Sequence, residues 1–435
     1  MITDEIRQKI SNIRIPIVII SYNNYKYVEN TIQQLIGINP DLLETIVIMD
    51  NNSDDANTQL YLQKRQTEVV VIFNQDNVGP WVSTSCNAHV YHALPEQYIL
   101  TDPDLEFNKN LPKNFIDIFC EIMSKYDMEK IGFAIEIDDC DKFYKYPDYN
   151  QERSILEWES GFWKPEEMTT YTTDDGIMEL TLHHCCIDTT FAMYNKKFMN
   201  IAGWWAYKGI RVSGNFKCRH LPFYIEDPIL SMHDKLVHYE HSKFSTTSNC
   251  AMRYINENFF IVNKCDERIL IEKDDYNLFF WKTMYDDYEP KIFEIIDKFS
   301  NKETNTIILG DCIGEKTIYA SRKSKHVYVM RCDVSTISEF EKIVKNNCKN
   351  VSLVGSDTLL ETLDKINMAD VNLIIVDAHG KEEQIMNRLI KYKEEYGITI
   401  CIKLYLTEWK NATYKKMFNT MNLIKIQNKE SFCVW

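Results

Sequence analysis

Short apolar runs, each about the length of a β-strand, recur through the first hundred residues. They lie at 15–21, 44–50, 68–73 and 97–101. Continuously apolar runs of this length are typical of parallel strands buried on both faces. Residues 27–36 have apolar positions at helical spacing, and 86–94 can also be helical. This alternation predicts a Rossmann-like α/β fold whose ligands bind at the carboxyl ends of the strands.

A second series of strand-like runs begins near residue 306. These runs lie at 306–309, 327–331, 351–354, 373–376 and 398–404, with helical patterns at 337–346 and 381–396. The sequence therefore predicts two Rossmann-like α/β domains, the first over 1–253 and the second over 300–435. The segment between them, 254–299, is predicted to be a helical linker.

Polar clusters follow each of the four N-terminal strands. They are Ser21-Tyr22-Asn23-Asn24, Asp50-Asn51-Asn52-Ser53, residues 74–79, and Asp102-Pro103-Asp104. A single polar loop would mean little, because loops are polar in general. Four such clusters at four successive strand ends predict one ligand site along an edge of the sheet.

Asp102-Pro103-Asp104 is the cluster with the clearest chemistry. The two-residue period of an extended chain puts Asp102, Asp104 and Glu106 on one side. Two carboxylates at one place repel each other unless a proton or a cation lies between them. Mn²⁺ or Mg²⁺ accepts oxygen ligands and would join these carboxylates to a diphosphate. The alternative interpretation is a solvated turn in which an Asp caps the following segment.

Composition limits the class of protein. With 435 residues, of which 45% are hydrophobic and 26% charged, the chain is long enough for two cores and is not disordered. Its net charge of −15 argues against a nucleic-acid partner, because neutralising phosphates requires a basic face. The 13 cysteines include no CxxC pair, and the first ten residues carry acids without an apolar run. We therefore expect reduced thiols, no signal peptide, no membrane span and a cytoplasmic location.

The ordered set of N-terminal motifs resembles the family 2 glycosyltransferases of the GT-A fold, from residue 15 to about residue 245. Residues 15–23 match the family's first strand and nucleotide loop, and 47–53 resemble its hydrophobic-D-x-x-S element. Asn77-Val78-Gly79, with Asn87 downstream, resembles its N-x-G…N stretch, and Asp102-Pro103-Asp104 lies at its DXD motif. The resemblance implies a metal-dependent enzyme that transfers a sugar from a nucleotide-sugar, preferably UDP-linked, to a glycan, glycoprotein or other hydroxyl acceptor.

The resemblance also implies roles for single residues. Tyr22 would stack on or flank the base, and Asp50 would accept a hydrogen bond from uracil. Asp102 would face the ribose or the metal, and Asp104 would ligate the metal directly. The other donor-binding residues that it implies are Ser21, Asn23, Asn51, Asn77 and Gly79.

Ile225-Glu226-Asp227 resembles the family's xED element, whose Asp is the catalytic base of inverting members. A sugar hydroxyl is a poor nucleophile, so a positioned carboxylate must draw off its proton during attack. Asp227 is the implied base and Glu226 the second choice, with a non-catalytic acid dyad as the alternative.

Residues 237–243 resemble the segment that supplies a histidine metal ligand. His238 aligns best, and His241 is the alternative.

Arg211, Arg219 and His220 lie in stretches that resemble a subgroup from bacterial and large DNA virus glycosylation loci. Each could hold a phosphate or an acceptor, or could instead pair with one of the chain's many acids. A viral source would place the protein in the host cytoplasm or the virion.

The second domain resembles FkbM-type, S-adenosylmethionine-dependent methyltransferases, in the stretches 309–314, 327–333 and 373–380. Three positions depart from the family: its first-strand Asp falls on Ile308, its ribose-binding acid on Arg331, and its D-x-E-G glutamate on His379. Arg331 reverses the charge where the cofactor ribose would bind. We therefore expect a domain that keeps the fold, does not use S-adenosylmethionine, and serves homodimerisation or acceptor binding. A bifunctional glycosyltransferase–methyltransferase and a silent glycan-binding protein are the alternatives.

Overall fold

The chain, described by a computed structural model, divides into two compact units. Unit 1 comprises Met1–Ile229 and His238–Tyr254, and unit 2 comprises Leu230–Val237 and Ile255–Trp435. The structure describes residues 2–77, 79, 88–147, 152–187, 190–198, 209–241, 247–275, 277–310, 313–330, 337–354, 363–377, 382–405, 422–427 and 430–434. The expectations for Asn87, Arg331 and His379 lie outside these residues.

Unit 1 is built on one mixed sheet. Its strands are β1 (Ile17–Ser21), β2 (Ile46–Asp50), β3 (Val70–Phe73), β4 (Gln97–Thr101), β5 (Leu105–Phe107), β6 (Lys130–Ile135), β7 (Met168–Thr172), β8 (Glu179–His184), β9 (Ala192–Asn195) and β10 (Gly209–His220). The strand order is β3-β2-β1-β4-β9-β6-β10-β8-β7, and β5 pairs with β10. Because β1 runs parallel to β2 and β4, and β2 parallel to β3, the carboxyl ends of these four strands meet at one edge.

Helices cover both faces of the parallel part of this sheet. The helices that lie in unit 1 or reach into it are α1 (Asp4–Ser11), α2 (Tyr25–Ile38), α3 (Ala56–Arg65), α4 (Ala88–Ala93), α5 (Phe115–Tyr126), α6 (Ile155–Glu159), α7 (Met232–His241) and α8 (Ser248–Asn258). Ile17 and Ile19 of β1 belong to the same core as α2 and α5, whereas Val18 and Ile20 belong to the core of α1 and α4. This two-sided burial explains why β1 is apolar at successive positions.

Unit 2 contains a hairpin and a second doubly wound sheet. Its strands are β11 (Phe259–Lys264), β12 (Glu267–Glu272), β13 (Asn305–Leu309), β14 (His326–Met330), β15 (Val351–Leu353), β16 (Val371–Val376), β17 (Thr399–Tyr405), β18 (Asn422–Gln427) and β19 (Glu430–Val434). Its further helices are α9 (Leu278–Thr283), α10 (Pro290–Phe299), α11 (Glu315–Lys323), α12 (Ile337–Asn347) and α13 (Glu382–Tyr396). The order β15-β14-β13-β16-β17-β19-β18 reverses between β13 and β16, the position at which such sheets bind ligands.

The sequence predicted a helical linker at 254–299, but this segment is not purely helical. It contains the antiparallel hairpin β11–β12 as well as α9 and α10. Ile271 of the hairpin, Trp281 of α9 and Phe293 of α10 are buried in the same core as Ile308 of β13. Burial against the second sheet therefore makes this segment part of unit 2.

The predicted fold class is confirmed, because both units are α/β: unit 1 has a mixed sheet in which β1 to β4 are parallel, and β13 to β17 of unit 2 are parallel. Ile308 lies at 0% exposure in β13, so the position expected to carry an acid in a methyltransferase is part of the core. Within the described ranges, no helix combines the length and apolar character needed to cross a bilayer.

Candidate active site

The loops after β1 and β2 are joined by hydrogen bonds. The backbone N–H of Asn23 donates to Ser53 Oγ at 2.9 Å, and Asn23 Oδ1 accepts from the N–H groups of Asp54 and Asp55, both at 2.9 Å. Asn23 (φ 51°) and Asn52 (φ 61°) adopt left-handed backbone conformations, which Asn tolerates better than most residues. We call this pair of joined loops, residues 21–24 and 50–55, the nucleotide platform. The predicted donor-binding residues on it are Ser21, Tyr22, Asn23, Asp50 and Asn51.

Asp50 lies at the end of β2 and is 3% exposed. Its carboxylate accepts hydrogen bonds from the hydroxyl of Ser53 at 2.5 Å and from the N–H of Ser53 at 3.0 Å. Burial raises the pKa of Asp50, and the hydrogen bonds from Ser53 offset this effect only in part. The carboxylate is therefore held in one orientation, which a group that recognises a base requires.

A second polar chain connects the ends of β2 and β3 with α4. Asn51 Nδ2 donates to the carbonyl of Gly79 at 2.9 Å, and Asn74 Nδ2 donates to Asn51 Oδ1 at 2.9 Å. His89 Nε2 lies 3.2 Å from Asn74 Oδ1. The N–H of Gly79 (φ 80°) donates to Asn77 Oδ1 at 3.1 Å. The structure thus brings the predicted residues Asn51, Asn77 and Gly79 together. It adds Asn74 and His89, which the sequence analysis did not single out.

Replacing Ser53 with alanine is expected to lower the free energy of unfolding by about 1–3 kcal/mol, because Asp50 and the N–H of Asn23 lose a buried partner. The affinity for UDP should fall as well. Urea unfolding and calorimetric titration with UDP measure the two effects. Ser11→Ala removes a hydroxyl from the exposed end of α1 and is the control. Equal stability and equal UDP affinity in both variants would contradict the claim that Ser53 joins the two loops of the nucleotide platform.

The Asp102-Pro103-Asp104 segment joins β4 to β5, and its backbone is fixed from two sides. The carbonyl of Pro103 accepts from Thr31 Oγ1 of α2 at 2.5 Å, and the carbonyl of Asp104 accepts from the N–H of Leu221 at 2.9 Å. The Asp104 side chain is 19% exposed. The segment is therefore a fixed and mostly buried tip, and not the solvated turn of the alternative interpretation. We call it the acidic tip.

His220 lies beside Asp104, because the register of β10 on β5 pairs His220 with Leu105. His220 Nε2 is 3.4 Å from Asp104 Oδ1. Burial alone would lower the pKa of His220, but the Asp104 carboxylate, with Asp102, outweighs burial and raises the pKa. His220 therefore pairs with an acid, the alternative that the sequence left open, and its contact with a phosphate or an acceptor stays a prediction.

Asp227 is 3% exposed, whereas Glu226 is exposed. Asp227 Oδ1 accepts from the N–H of Ile229 at 2.8 Å, and Oδ2 accepts from the Tyr27 hydroxyl at 2.5 Å. Two donors from different parts of the fold thus hold this carboxylate. The sequence analysis did not identify Tyr27, because it reads as an ordinary apolar position of α2.

His238 of α7 lies close to the same group. Its ring centroid is 6.5 Å from that of Tyr27, edge to face. Burial lowers the pKa of His238, while the Asp104 carboxylate, a hydrogen bond with the backbone of Asn23, and the Asp227 carboxylate act to raise it. His238 thus lies within electrostatic reach of both the Asp104 and the Asp227 carboxylates.

The three predicted metal ligands, Asp102, Asp104 and His238, are not assembled as a metal site. Among the residues that the structure describes, no three or more His, Cys, Asp or Glu side chains form a group that could hold a metal ion. Asp104 Oδ1 lies 3.4 Å from His220 Nε2 in an ion pair but makes no hydrogen bond with any described residue, and His238 Nδ1 is likewise buried without one. Carboxylate oxygen and imidazole nitrogen both suit Mn²⁺, so these two atoms fit a metal although the complete trio does not form.

Arg211 and Arg219, predicted as contacts for a phosphate or an acceptor, are both engaged by acids of the fold. Arg211 is 2% exposed, and its Nη1 lies 3.0 Å from Glu159 Oε2. Arg219 is 3.2 Å from Glu106 and 2.6 Å from Asp139. Arg211 therefore pairs with a buried acid, the alternative that the sequence left open, and its contact with a phosphate or an acceptor stays a prediction. Arg219 likewise serves an ion-pair network.

In unit 2, the carboxyl ends of β13 and β16 and the strand β17 carry a buried charge network. Lys316 Nζ lies 3.0 Å from Glu315 Oε1, 3.0 Å from Asp377 Oδ2 and 3.6 Å from Glu289 Oε2. Lys403 Nζ pairs with Glu289 and lies 3.5 Å from Asp377 Oδ2. None of these side chains is more than 5% exposed. Asp377 directly follows β16, and Lys316 lies on the helix after β13, so the network lies at the carboxyl ends of these two strands, where the strand order reverses.

Comparison with known proteins finds a family match in the N-terminal part. Residues 17–200 match the family described as glycosyl transferase family 2. The resemblance deduced from the motifs is therefore confirmed over this range, and the match supports a glycosyltransferase. No curated protein matches the chain.

Solved structures share only limited similarity. Precorrin 8W decarboxylase of Methanobacterium thermoautotrophicum is 19% identical over 33% of this chain and 86% of its own, with a TM-score of 0.27. An rRNA methylase of Streptococcus thermophilus is 17% identical over 33% of this chain and 90% of its own, with a TM-score of 0.28. The M. jannaschii tRNA m1G37 methyltransferase is 12% identical over 41% of this chain and 55% of its own, with a TM-score of 0.27. Similarity this low carries no activity over to this chain.

Proposed function

Since residues 17–200 match glycosyl transferase family 2, we propose that this protein transfers a sugar from a UDP-sugar to a hydroxyl acceptor, with inversion and with the help of a divalent metal. The observation that carries the proposal is the convergence of three elements on helix α2 beside the nucleotide platform: Thr31 binds the acidic tip, Tyr27 binds Asp227, and the ring of His238 lies 6.5 Å from that of Tyr27. Three motifs that are far apart in the sequence thus supply the site: Asp104 as an acid near the donor's diphosphate, Asp227 as the base, and His238 as an imidazole.

The nucleotide platform binds the donor in this proposal. Asp50 accepts a hydrogen bond from the base, Tyr22 flanks the base, and Asp102 faces the ribose. Asp104 and His238 would hold Mn²⁺ or Mg²⁺, which when bound offsets the negative charge of the leaving diphosphate. The donor's own phosphate oxygens would complete a ligand set that the protein alone does not provide.

Asp227 is the catalytic base in this proposal. As the acceptor oxygen attacks the anomeric carbon, Asp227 takes the proton of the hydroxyl, and the bond from the anomeric carbon to the diphosphate oxygen breaks. The products are the glycosylated acceptor and the nucleoside diphosphate. The fixed orientation of Asp227 supports this assignment over Glu226, since a base must be held in position for proton transfer.

Asp104→Asn tests the metal part of the proposal. In an assay of UDP release from a UDP-sugar panel with Mn²⁺, activity at saturating metal is expected to fall about 10- to 100-fold, because a ligand oxygen loses its charge. The Mn²⁺ concentration for half-maximal activity should rise. Asp117→Asn, a change to a 68% exposed carboxylate of α5, is the matched control. Activity and metal dependence equal to those of the control would remove Asp104 from the site.

The proposed role of unit 2 is structural, without methyl transfer. This role is supported by the departures from the methyltransferase pattern at Ile308, Arg331 and His379, and by the buried charges of Lys316 and Lys403 where the strand order reverses. Calorimetric titration of the full chain with S-adenosylmethionine is expected to show no binding. Micromolar affinity would instead favour the bifunctional alternative. Homodimerisation through unit 2 stays a prediction, to be checked by sedimentation.

A further inference from the structure

Helix α2 contacts the three parts of the candidate site. It begins at Tyr25, directly after residues 21–24 of the nucleotide platform. Thr31 donates from this helix to the carbonyl of Pro103 in the acidic tip at 2.5 Å. Tyr27, four residues earlier and therefore on the same face of the helix, donates to Asp227 Oδ2 at 2.5 Å. One rigid element thus spans the donor loop, the acidic tip and the base.

The hydrogen bond from Tyr27 fixes the orientation of the Asp227 carboxylate. The N–H of Ile229 already binds Oδ1, but it lies only two residues from Asp227 on the same loop. A contact within one loop cannot set the position of that loop relative to the donor site. Tyr27 is 0% exposed and packed within unit 1, so its hydroxyl provides a fixed reference from another element.

We propose that Tyr27 is a positioning residue for glycosyl transfer: it holds the base Asp227 at a set distance and angle from the acidic tip, through the rigid face of α2 that also carries Thr31. This inference rests on the proposed function and goes beyond it, because it assigns a role to a side chain that touches neither donor nor acceptor. Burial and the Asp227 carboxylate raise the pKa of Tyr27 well above its usual value, so the phenol keeps the proton that it donates.

The inference is tested by Tyr27→Phe, alone and combined with Asp227→Asn, in the full chain. UDP release from a UDP-sugar with Mn²⁺ gives kcat and the KM for the donor. Tyr27→Phe is expected to lower kcat about 10- to 100-fold, the size of losing a hydrogen bond to a charged group, with little change in KM. In the Asp227→Asn background the same substitution is expected to have no further effect, because Tyr27 acts through Asp227.

Tyr239→Phe is the matched control. Tyr239 is 4% exposed and close enough to Asp227 and Asp104 for their charges to act on it, yet its hydroxyl makes no hydrogen bond to either within the described ranges. Its kcat should stay within about twofold of wild type, because the substitution removes no hydrogen bond to either carboxylate. Thermal unfolding of all variants, and UDP titration of each, show that fold and donor site are intact.

Two results would overturn the role of Tyr27 and are distinguishable. If the wild type is active and Asp227→Asn abolishes this activity while Tyr27→Phe matches Tyr239→Phe, the role of Tyr27 alone is wrong. Equal losses from Tyr27→Phe in the wild-type and Asp227→Asn backgrounds lead to the same conclusion. If the wild type releases UDP from none of the donors, the proposed function is wrong, and the role of Tyr27 with it.

Discussion

Replacing Lys316 with methionine is expected to lower the free energy of unfolding of unit 2 by about 3–5 kcal/mol, because it leaves buried carboxylates without a counter-charge. Lys316 lies within 3.6 Å of Glu289, Glu315 and Asp377, all at most 5% exposed. In the variant, Lys403 would remain as the cation of this network and would have to balance the charges of three acids. Methionine keeps the length of the aliphatic stem, so the loss reports the charge and not the volume. Urea unfolding of the full chain measures it.

Lys323→Met is the control for this prediction. Lys323 also lies on α11 and pairs with Glu267 at 3.0 Å and Asp297 at 3.6 Å, but its side chain is 30% exposed. Water screens such pairs, so the expected loss is at most about 1 kcal/mol. Similar losses for the two lysines would mean that the network around Lys316 is solvated. That result would contradict a buried charge network at this position in unit 2.

The elements of the sheets were predictable because local pattern determines them. The run at 97–101 is β4 without change, and the run at 15–21 is β1 starting two residues later, after Pro16. In unit 2, the helical pattern at 337–346 is α12, which ends at Asn347. Buried strands and amphipathic helices have distinct hydrophobic patterns, and both patterns can be recognised in a single sequence.

The pairing of charged side chains was not predictable in the same way. Asp104 reaches His220, and Arg211 reaches Glu159, through strand registers and loop paths that no local period encodes. The hairpin β11–β12 was missed for a related reason, because its alternation is weak and burial against unit 2 determines its fold. Motif order therefore identified the region of the site, while the partner of each charge required the fold.

Asp227→Asn is expected to lower kcat for sugar transfer about 10²- to 10⁴-fold, the usual contribution of a general base. Asparagine keeps the shape and still accepts the hydrogen bonds from Tyr27 or Ile229 through its oxygen, but it cannot take the proton of the acceptor hydroxyl. The KM for the UDP-sugar should change little, because Asp227 does not contact the donor in the proposal. Steady-state kinetics of UDP release with Mn²⁺ measure both constants.

Glu226→Gln decides between the two neighbouring acids. Glu226 is exposed, and Asp227 is 3% exposed with a bonded partner on each oxygen. If Asp227 is the base, Glu226→Gln should change kcat less than about tenfold, well below the loss in Asp227→Asn. The opposite order would move the base to Glu226 and would make the Tyr27–Asp227 hydrogen bond a purely structural contact. Equal, small effects of both substitutions would contradict base catalysis by the 225–227 segment, since an unassisted sugar hydroxyl is a poor nucleophile.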